Sequence, residues 1–350
     1  MSTAQPKKIL IIGPSWVGDM VMAQSLFIAL KADNPAVEID VLALEWTRPL
    51  LQRMPEVTRA IAMPVSHGVF GWTMRRKLGK QLKQHSYDQA IVLPNSWKSA
   101  LIPWFAGIPV RTGWCGEMRY GLLNDIRTLD KDALPMMVQR FVSLAYPASH
   151  SSAAPSYTPP LMRANAVSDA INPPRVAGQK RLILCPGAEF GPAKQWPPEY
   201  YAALAQHFLQ QGWQVLVLGS KADQATAKNI ADGITGDQSQ FFNLTGQTQL
   251  EDAIDLLATA DQVVSNDSGL MHLAAALQRP LLVIYGPTSP AFTPPLADNA
   301  KIVQIDVECG PCFQRTCPEG HHRCMKDLSV DKVKSLTSAE SSLEKPYDQA

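Results

Sequence analysis

The sequence predicts an α/β protein made of two Rossmann-like parallel-sheet domains. Three observations carry that expectation. Short apolar runs alternate with helix-period segments over residues 8–93, and the same alternation restarts over residues 181–285. Between them, residues 146–178 are rich in Pro, Ser and Ala and hold no sustained period, as a linker would. The chain also has 350 residues, too many for one ordinary domain and suited to two. The expected boundaries are a first domain at 1–150, a linker at 151–178, a second domain at 179–330 and a tail at 331–350.

Taken in order, residues 8–12 (KILII) form a run without polar alternation, the mark of a strand buried on both faces. After a loop, Ala23, Leu26, Phe27 and Leu30 recur at helix spacing, which predicts an amphipathic helix. Strands follow at 39–43, 60–64 and 90–93, with a basic helix at about 74–84. In the second half a strand at 181–184 precedes a helix with Tyr201, Leu204, Ala205 and Phe208 in register. A strand at 214–218 comes next, then a helix carrying Leu250, Ala253, Ile254, Leu257 and Ala258. The strand at 262–264, a helix from Gly269 and a strand at 281–285 complete the unit. Strand–helix–strand order implies parallel sheets, whose ligands bind at the carboxyl ends of the strands, here in a cleft expected between the two domains.

Composition narrows the function. Lys plus Arg number 32 against 31 Asp plus Glu, so the chain is no general polyanion binder and no nucleic-acid partner is expected. Hydrophobic residues at 46% fit large cores. No apolar run approaches the ~20 residues that span a bilayer, and the amino terminus lacks a signal-peptide pattern. A cytoplasmic protein is therefore expected.

Three segments carry chemistry. Gly13-Pro14-Ser15-Trp16-Val17-Gly18-Asp19 follows the first strand with the glycine spacing of a phosphate loop, but an aspartate stands where that loop needs a lysine. Asp19 is then either an acidic helix-start residue favoured by the macrodipole or a carboxylate displayed at a ligand site. The second segment is Asn266-Asp267-Ser268-Gly269-Leu270-Met271-His272, a turn into a helix whose first N–H groups make a ready anion site. Asp267 and Ser268 could equally be caps, and His272 a packed helix residue. In the third, residues 186–197, Gly and Pro bracket Glu189 and Lys194 just after a strand, which puts a mobile cation where a diphosphate could lie. A solvated surface lysine is the alternative.

In this order the segments resemble the ADP-heptose:lipopolysaccharide heptosyltransferase family, glycosyltransferase family 9. The resemblance rests on GPSWVGDMVMAQSL, LPNSWKSALIPWFAGIPVRTGW, GEMRYGLLND, CPGAEFGPAKQWP and NDSGLMHLAAALQRPLLVIYGPTSP, and covers nearly the whole chain to about residue 300. The wording is nearest the branch that adds the second heptose of the inner core. The first-heptose branch shares the layout but matches less well in GPSWVGD and GAEFGPAK. The family implies the GT-B architecture, with acceptor binding in the amino-terminal domain and ADP-heptose binding in the carboxyl-terminal domain. It implies Asp19 as catalytic base and Lys194 as donor-phosphate lysine. Ser268, Gly269 and Leu270 would form the diphosphate turn, flanked by Asp267 and His272, with Glu189 in the donor loop and Ser220 and Lys221 near the ribose. Lys98, Arg111, Arg119 and Arg127, set among Trp97, Trp104, Trp114 and Tyr120, are expected to receive the anionic groups of a lipid-linked acceptor, otherwise standing as solvated surface cations. That acceptor implies work at the cytoplasmic face of the inner membrane.

Inverting transfer needs one base and a sink for charge on the departing diphosphate, so no cofactor is expected for the chemistry. Asp130-Lys131-Asp132 lies in a polar stretch and reads as solvated surface. Cys309, Cys312, Cys317 and Cys324 fall within sixteen residues, with His321 and His322 between them. They suit either a structural zinc or a set of reduced thiols, since only the first pair has common ligand spacing. A nucleotide-sugar epimerase or dehydrogenase should show G-x-G-x-x-G after the first strand, which residues 13–19 lack. A non-catalytic nucleotide-binding protein would keep the 266–269 turn but has no use for Asp19 and Lys194.

Overall fold

A computed structural model describes residues 7–64, 70–148 and 154–337. Twelve strands are present among them: β1 (Lys8–Ile12), β2 (Glu38–Leu44), β3 (Arg59–Met63), β4 (Gln89–Val92), β5 (Val110–Trp114), β6 (Asp125–Arg127), β7 (Arg181–Cys185), β8 (Gln214–Val217), β9 (Phe241–Asn243), β10 (Gln262–Asn266), β11 (Leu281–Ile284) and β12 (Ala300–Val303). The α-helices are α1 (Val17–Asp33), α2 (Arg48–Gln52), α3 (Trp72–Leu82), α4 (Leu101–Phe105), α5 (Met137–Val142), α6 (Pro198–Gln210), α7 (Gln224–Asp232), α8 (Leu250–Leu257), α9 (Gly269–Ala276), α10 (Arg323–Lys326) and α11 (Val330–Thr337).

The strands form two six-stranded sheets, ordered β3-β2-β1-β4-β5-β6 and β12-β11-β10-β7-β8-β9, and every pairing is parallel. Counted from its own first strand, the second sheet repeats the order of the first. Each reverses direction once, between β1 and β4 and between β7 and β10, and such a reversal opens a crevice above the strand ends. The central strands are apolar throughout because helices cover both faces: Ile9 to Ile12 and Leu182 to Leu184 are all buried.

Two compact units correspond to the sheets, Met1–Arg163 and Ala164–Ala350. The division falls inside the segment expected to link them. Its earlier part belongs to the first unit, where Ser25 Oγ donates to the Thr158 carbonyl at 2.7 Å and Gln24 Nε2 to the Leu161 carbonyl at 2.8 Å. Its later part joins the second, where Asn165 N donates to Asp255 Oδ1 at 2.8 Å. The residues expected to open a tail instead form α11, whose Val333 is buried in the second core.

Helix α1 departs from the amphipathic expectation. Met20 to Phe27 are buried without interruption, because the helix lies between its sheet on one side and α5 and residues 158–161 on the other. Helices α6 and α8 keep the expected registers, with Tyr201, Leu204, Ala205, Phe208, Ala253, Ile254 and Leu257 all buried. Strands β5, β6, β9 and β12 were not expected from the pattern.

Candidate functional site

In the first unit the chain leaves β1 through residues 13–16 and leaves β4 through residues 93–96, the two loops of the sheet reversal. They line a cavity of about 740 Å³. The chain passes close to β2 there: Gly13 N donates to the Leu42 carbonyl at 2.9 Å. Helix α1 starts directly after this turn, and Asp19, in its first turn and half-buried, joins Ser15 and Asn95 in the cavity wall. The two readings of Asp19 are therefore compatible, since the helix start that favours a carboxylate also displays it.

Of the expected acceptor cations, Lys98 lines this cavity and Arg111, Arg119 and Arg127 do not. Their guanidinium groups satisfy main-chain carbonyls instead. Arg111 donates to the Leu122 and Ile108 carbonyls, and Arg119 to the Pro94 and Trp114 carbonyls. Arg127 donates to the Ser143 and Tyr146 carbonyls and pairs with Asp125 at 2.8 Å. Arg119 and Arg127 are buried, and burial pulls Arg119 below its usual range. These three brace the loops behind the cavity. The cations that line it with Lys98 are Arg75 and Arg140, which the sequence reading passed over. Arg75 also donates to the Phe70 and Lys98 carbonyls, tying α3 to the cavity wall. A second carboxylate, Glu117, enters the wall and accepts from Trp97 N at 2.6 Å. Glu117 and Met118 adopt φ of 44° and 48°, a costly conformation for non-glycine residues that tends to cluster at functional turns. Asp130 lies in an exposed turn, its Oδ1 accepting from Asp132 N and Ala133 N.

In the second unit the equivalent loops follow β7 and β10. Lys194 Nζ reaches Asp267 Oδ2 at 2.5 Å, and Thr288 Oγ1 donates to the same oxygen at 2.6 Å. Only 13% of the Lys194 side chain and 5% of that of Asp267 are exposed, so the lysine is pinned rather than mobile as expected. It also lies 4.9 Å from the Phe190 ring centroid, with the Arg315 guanidinium 5.5 Å from the same ring. The loop can take this path because Gly191 presses against the Arg315 carbonyl, where a Cβ would stand 2.4 Å from the oxygen. Asp267 leads directly into α9. Ser268 caps that helix, its Oγ accepting from Met271 N at 3.4 Å, while Gly269 and Leu270 open its first turn. With Met271 N met by Ser268, the N–H groups of Gly269 and Leu270 have no acceptor within the helix, so the helix start presents a positive dipole end beside the Lys194–Asp267 pair. His272 is buried one turn in, and desolvation lowers its imidazole to about 4 despite the Asp267 charge.

Ser220 and Lys221 sit at the turn after β8. Ser220 is a cap there: its N–H and hydroxyl both donate to Asp223 Oδ2 at 2.8 Å. Asp223 itself was not foreseen, yet its carboxylate lies against Gly187, where a Cβ would approach to 2.6 Å, so it reaches the loop that bears Lys194. Glu189 is exposed in that loop.

The four late cysteines are unpaired thiols. With His321 and His322 they line a cavity of about 20 Å³. Burial, and then the nearness of Cys312, Cys309 and Cys317, pushes the Cys324 thiol up to about 11. Among the described residues no three such donors are arranged to hold one metal ion. The nearest approaches are instead hydrogen-bond contacts, with Cys309 Sγ 3.9 Å from His321 Nε2 and His322 N donating to Cys317 Sγ at 3.4 Å. No chemical step is assigned to a metal at this site.

Each of the two parallel sheets thus carries a polar site at its reversal, one lined by Asp19 and one made of the Lys194–Asp267 pair at the start of α9. The family model for glycosyltransferase family 9 (heptosyltransferase) matches residues 75–323. Lipopolysaccharide heptosyltransferase 2 of Escherichia coli K12 is 48% identical over 334 residues, covering 93% of this chain and 96% of that protein. The enzyme of the same name from Salmonella typhimurium is 49% identical over 338 residues, again covering 93% and 96%. The solved structure of E. coli ADP-heptose lps heptosyltransferase II superposes with a TM-score of 0.83 at 46% identity, covering 94% of this chain and 97% of that one. The chain belongs to glycosyltransferase family 9, the heptosyltransferases, and is a glycosyltransferase with the paired Rossmann-like sheets of the GT-B class.

Proposed function

We propose that this enzyme transfers L-glycero-D-manno-heptose from ADP-heptose to the first heptose of heptosyl-Kdo2-lipid A, with inversion at the anomeric carbon. The observation that carries the mechanism is the position of Asp19 in the wall of the first unit's cavity. Asp19 takes the proton of the acceptor hydroxyl as its oxygen bonds to the anomeric carbon, and the bond from that carbon to the diphosphate breaks. The charge left on ADP is met in the second unit by Lys194 and the start of α9. With those groups in place the departing diphosphate needs no protein-bound divalent cation. Transfer is accordingly expected to persist in chelator, and its abolition by chelation and restoration by one added metal would overturn that point.

Acceptor binding is assigned first to Lys98, with Arg75 and Arg140 adding charge from the same wall while each also donates to main-chain carbonyls, and these charges suit the carboxylates and phosphates of an inner core. Arg119 holds Pro94, in the loop that leads to Lys98, and Arg127 holds Ser143, directly after the helix that bears Arg140. A lipid-linked acceptor implies work at the cytoplasmic face of the inner membrane. Among the described residues no helix is long and apolar enough to cross one, so attachment would be peripheral.

The assignment to the second heptose rests on the names of the relatives. Its test is transfer from ADP-heptose to Kdo2-lipid A with and without the first heptose. Activity is expected only on the pre-heptosylated acceptor. Equal or better activity on unmodified Kdo2-lipid A would assign the first-heptose reaction instead.

A further inference from the structure

Residues 70–108 hold six lysines and arginines against one carboxylate, Asp88, in a chain whose net charge is +1. Four of the cations, Arg76, Lys77, Lys80 and Lys83, are exposed on α3 and the turn after it, while Arg75, Gly79 and Leu82 are buried. At about 100° per residue, the four fall within roughly 120° of the helix circumference. No acidic residue lies in α3 or in residues 83–85. This is a basic helix face without internal neutralisation.

Beside it runs a file of aromatic rings. Trp104 meets Phe105 at 5.0 Å between centroids, Phe105 meets Trp72 at 5.1 Å, Trp72 meets Phe70 at 6.0 Å, and Phe70 meets Trp97 at 5.9 Å. Trp104, Trp72, Phe70 and Trp97 are each 36–47% exposed, as is Met74 at 45%. A water-facing surface seldom gathers so many large apolar groups without a partner. Rings with a polar edge beside lysine and arginine are the composition of a membrane–water interface. Phe70 and Trp97, at one end of the file, also line the 740 Å³ cavity.

We propose that this face of α3, with the exposed rings of Trp72 and Trp104, seats the first unit on an anionic phospholipid bilayer. The cations meet lipid phosphates and the rings enter the headgroup layer, which brings the rim of the cavity to the depth where a lipid-linked sugar is offered. The purpose of the contact rests on the acceptor assignment above; the binding itself does not. Charge complementarity selects the bilayer over a second copy of this chain, whose identical face would present the same unneutralised cations.

The test is co-sedimentation of the full chain with vesicles of phosphatidylcholine alone or doped with phosphatidylglycerol, without donor or acceptor. Binding is expected only to the anionic vesicles and is expected to weaken with salt. The variant Arg76→Gln/Lys77→Gln/Lys80→Gln/Lys83→Gln should lose about fivefold in partition for each charge removed, and Trp104→Ser severalfold more. Both variants should keep the wild-type melting temperature and wild-type turnover on a deacylated, water-soluble acceptor. Equal binding to both vesicle types, or unchanged partition of the fourfold variant, would overturn the proposal. Self-association that Trp104→Ser abolishes would assign the face to a second copy instead. Inactivity of the wild type on the soluble acceptor would count against the acceptor assignment and leave the vesicle result standing.

Discussion

Lys194 shows how much a single residue's meaning depends on its contacts. Sequence placed it in a bracketed loop after a strand; the structure adds that it neutralises a carboxylate with 5% exposure. Removing one member of a buried pair costs about 3–5 kcal/mol, because the other charge is left without its partner. Lys194→Ala is therefore expected to lose stability as well as turnover, and Lys194→Ala/Asp267→Ala to regain much of the stability but none of the turnover. Melting temperature beside kcat separates the two effects; full recovery of turnover in the double variant would show that Lys194 serves only to neutralise Asp267. Arg119 teaches the reverse lesson. A basic residue among aromatics reads the same whether it meets a ligand or, as here, the Pro94 and Trp114 carbonyls. Nothing in the local pattern distinguishes those outcomes, because the carbonyls that capture it belong to loops with no periodicity of their own.

At the scale of elements, legibility follows burial. Strands β1, β4, β7 and β11 are apolar on both faces and could be read directly, whereas β6 and β9 are three-residue edge strands with polar members and no such signal. The burial of Gln24 and Ser25 in α1 was illegible too, since the carbonyls that satisfy them lie more than 130 residues away. Helix α9 carries a consequence for stability. Its His272 is pulled from the ordinary 6.5 to about 4 by burial, so between those pH values the unfolded chain binds a proton that the folded chain refuses. The stability this site contributes is present above pH 6.5 and is lost as pH falls toward 4, by roughly 3 kcal/mol for the shift cited. Denaturant titrations across that range should show the decline in the wild type and a flatter profile in His272→Gln. Parallel slopes in the two proteins would mean that His272 does not titrate this way.

For the whole molecule, the proposed mechanism divides one reaction between two units of equal topology. Parallel pairing was legible from the strand–helix–strand order, but the repeat of strand order showed only as a shared alternation, because the single reversal in each sheet arises from contacts distant in sequence. Those reversals explain why the informative loops are 13–19 and 93–98 in one unit and 186–194 and 266–272 in the other. They also show what sequence spacing could not, that Arg75, Glu117 and Arg140 share a wall with Asp19. A base in the first unit and leaving-group contacts in the second should be separable by experiment: each should fail without disabling the other's ligand. The measurement that tests this most directly is the turnover of Asp19→Asn beside its affinity for ADP. Transfer is expected to fall by about two to four orders of magnitude, as for loss of a general base, while ADP binds as to the wild type. Near-wild-type turnover, or a matching loss of ADP affinity, would contradict the assignment of Asp19 as the base.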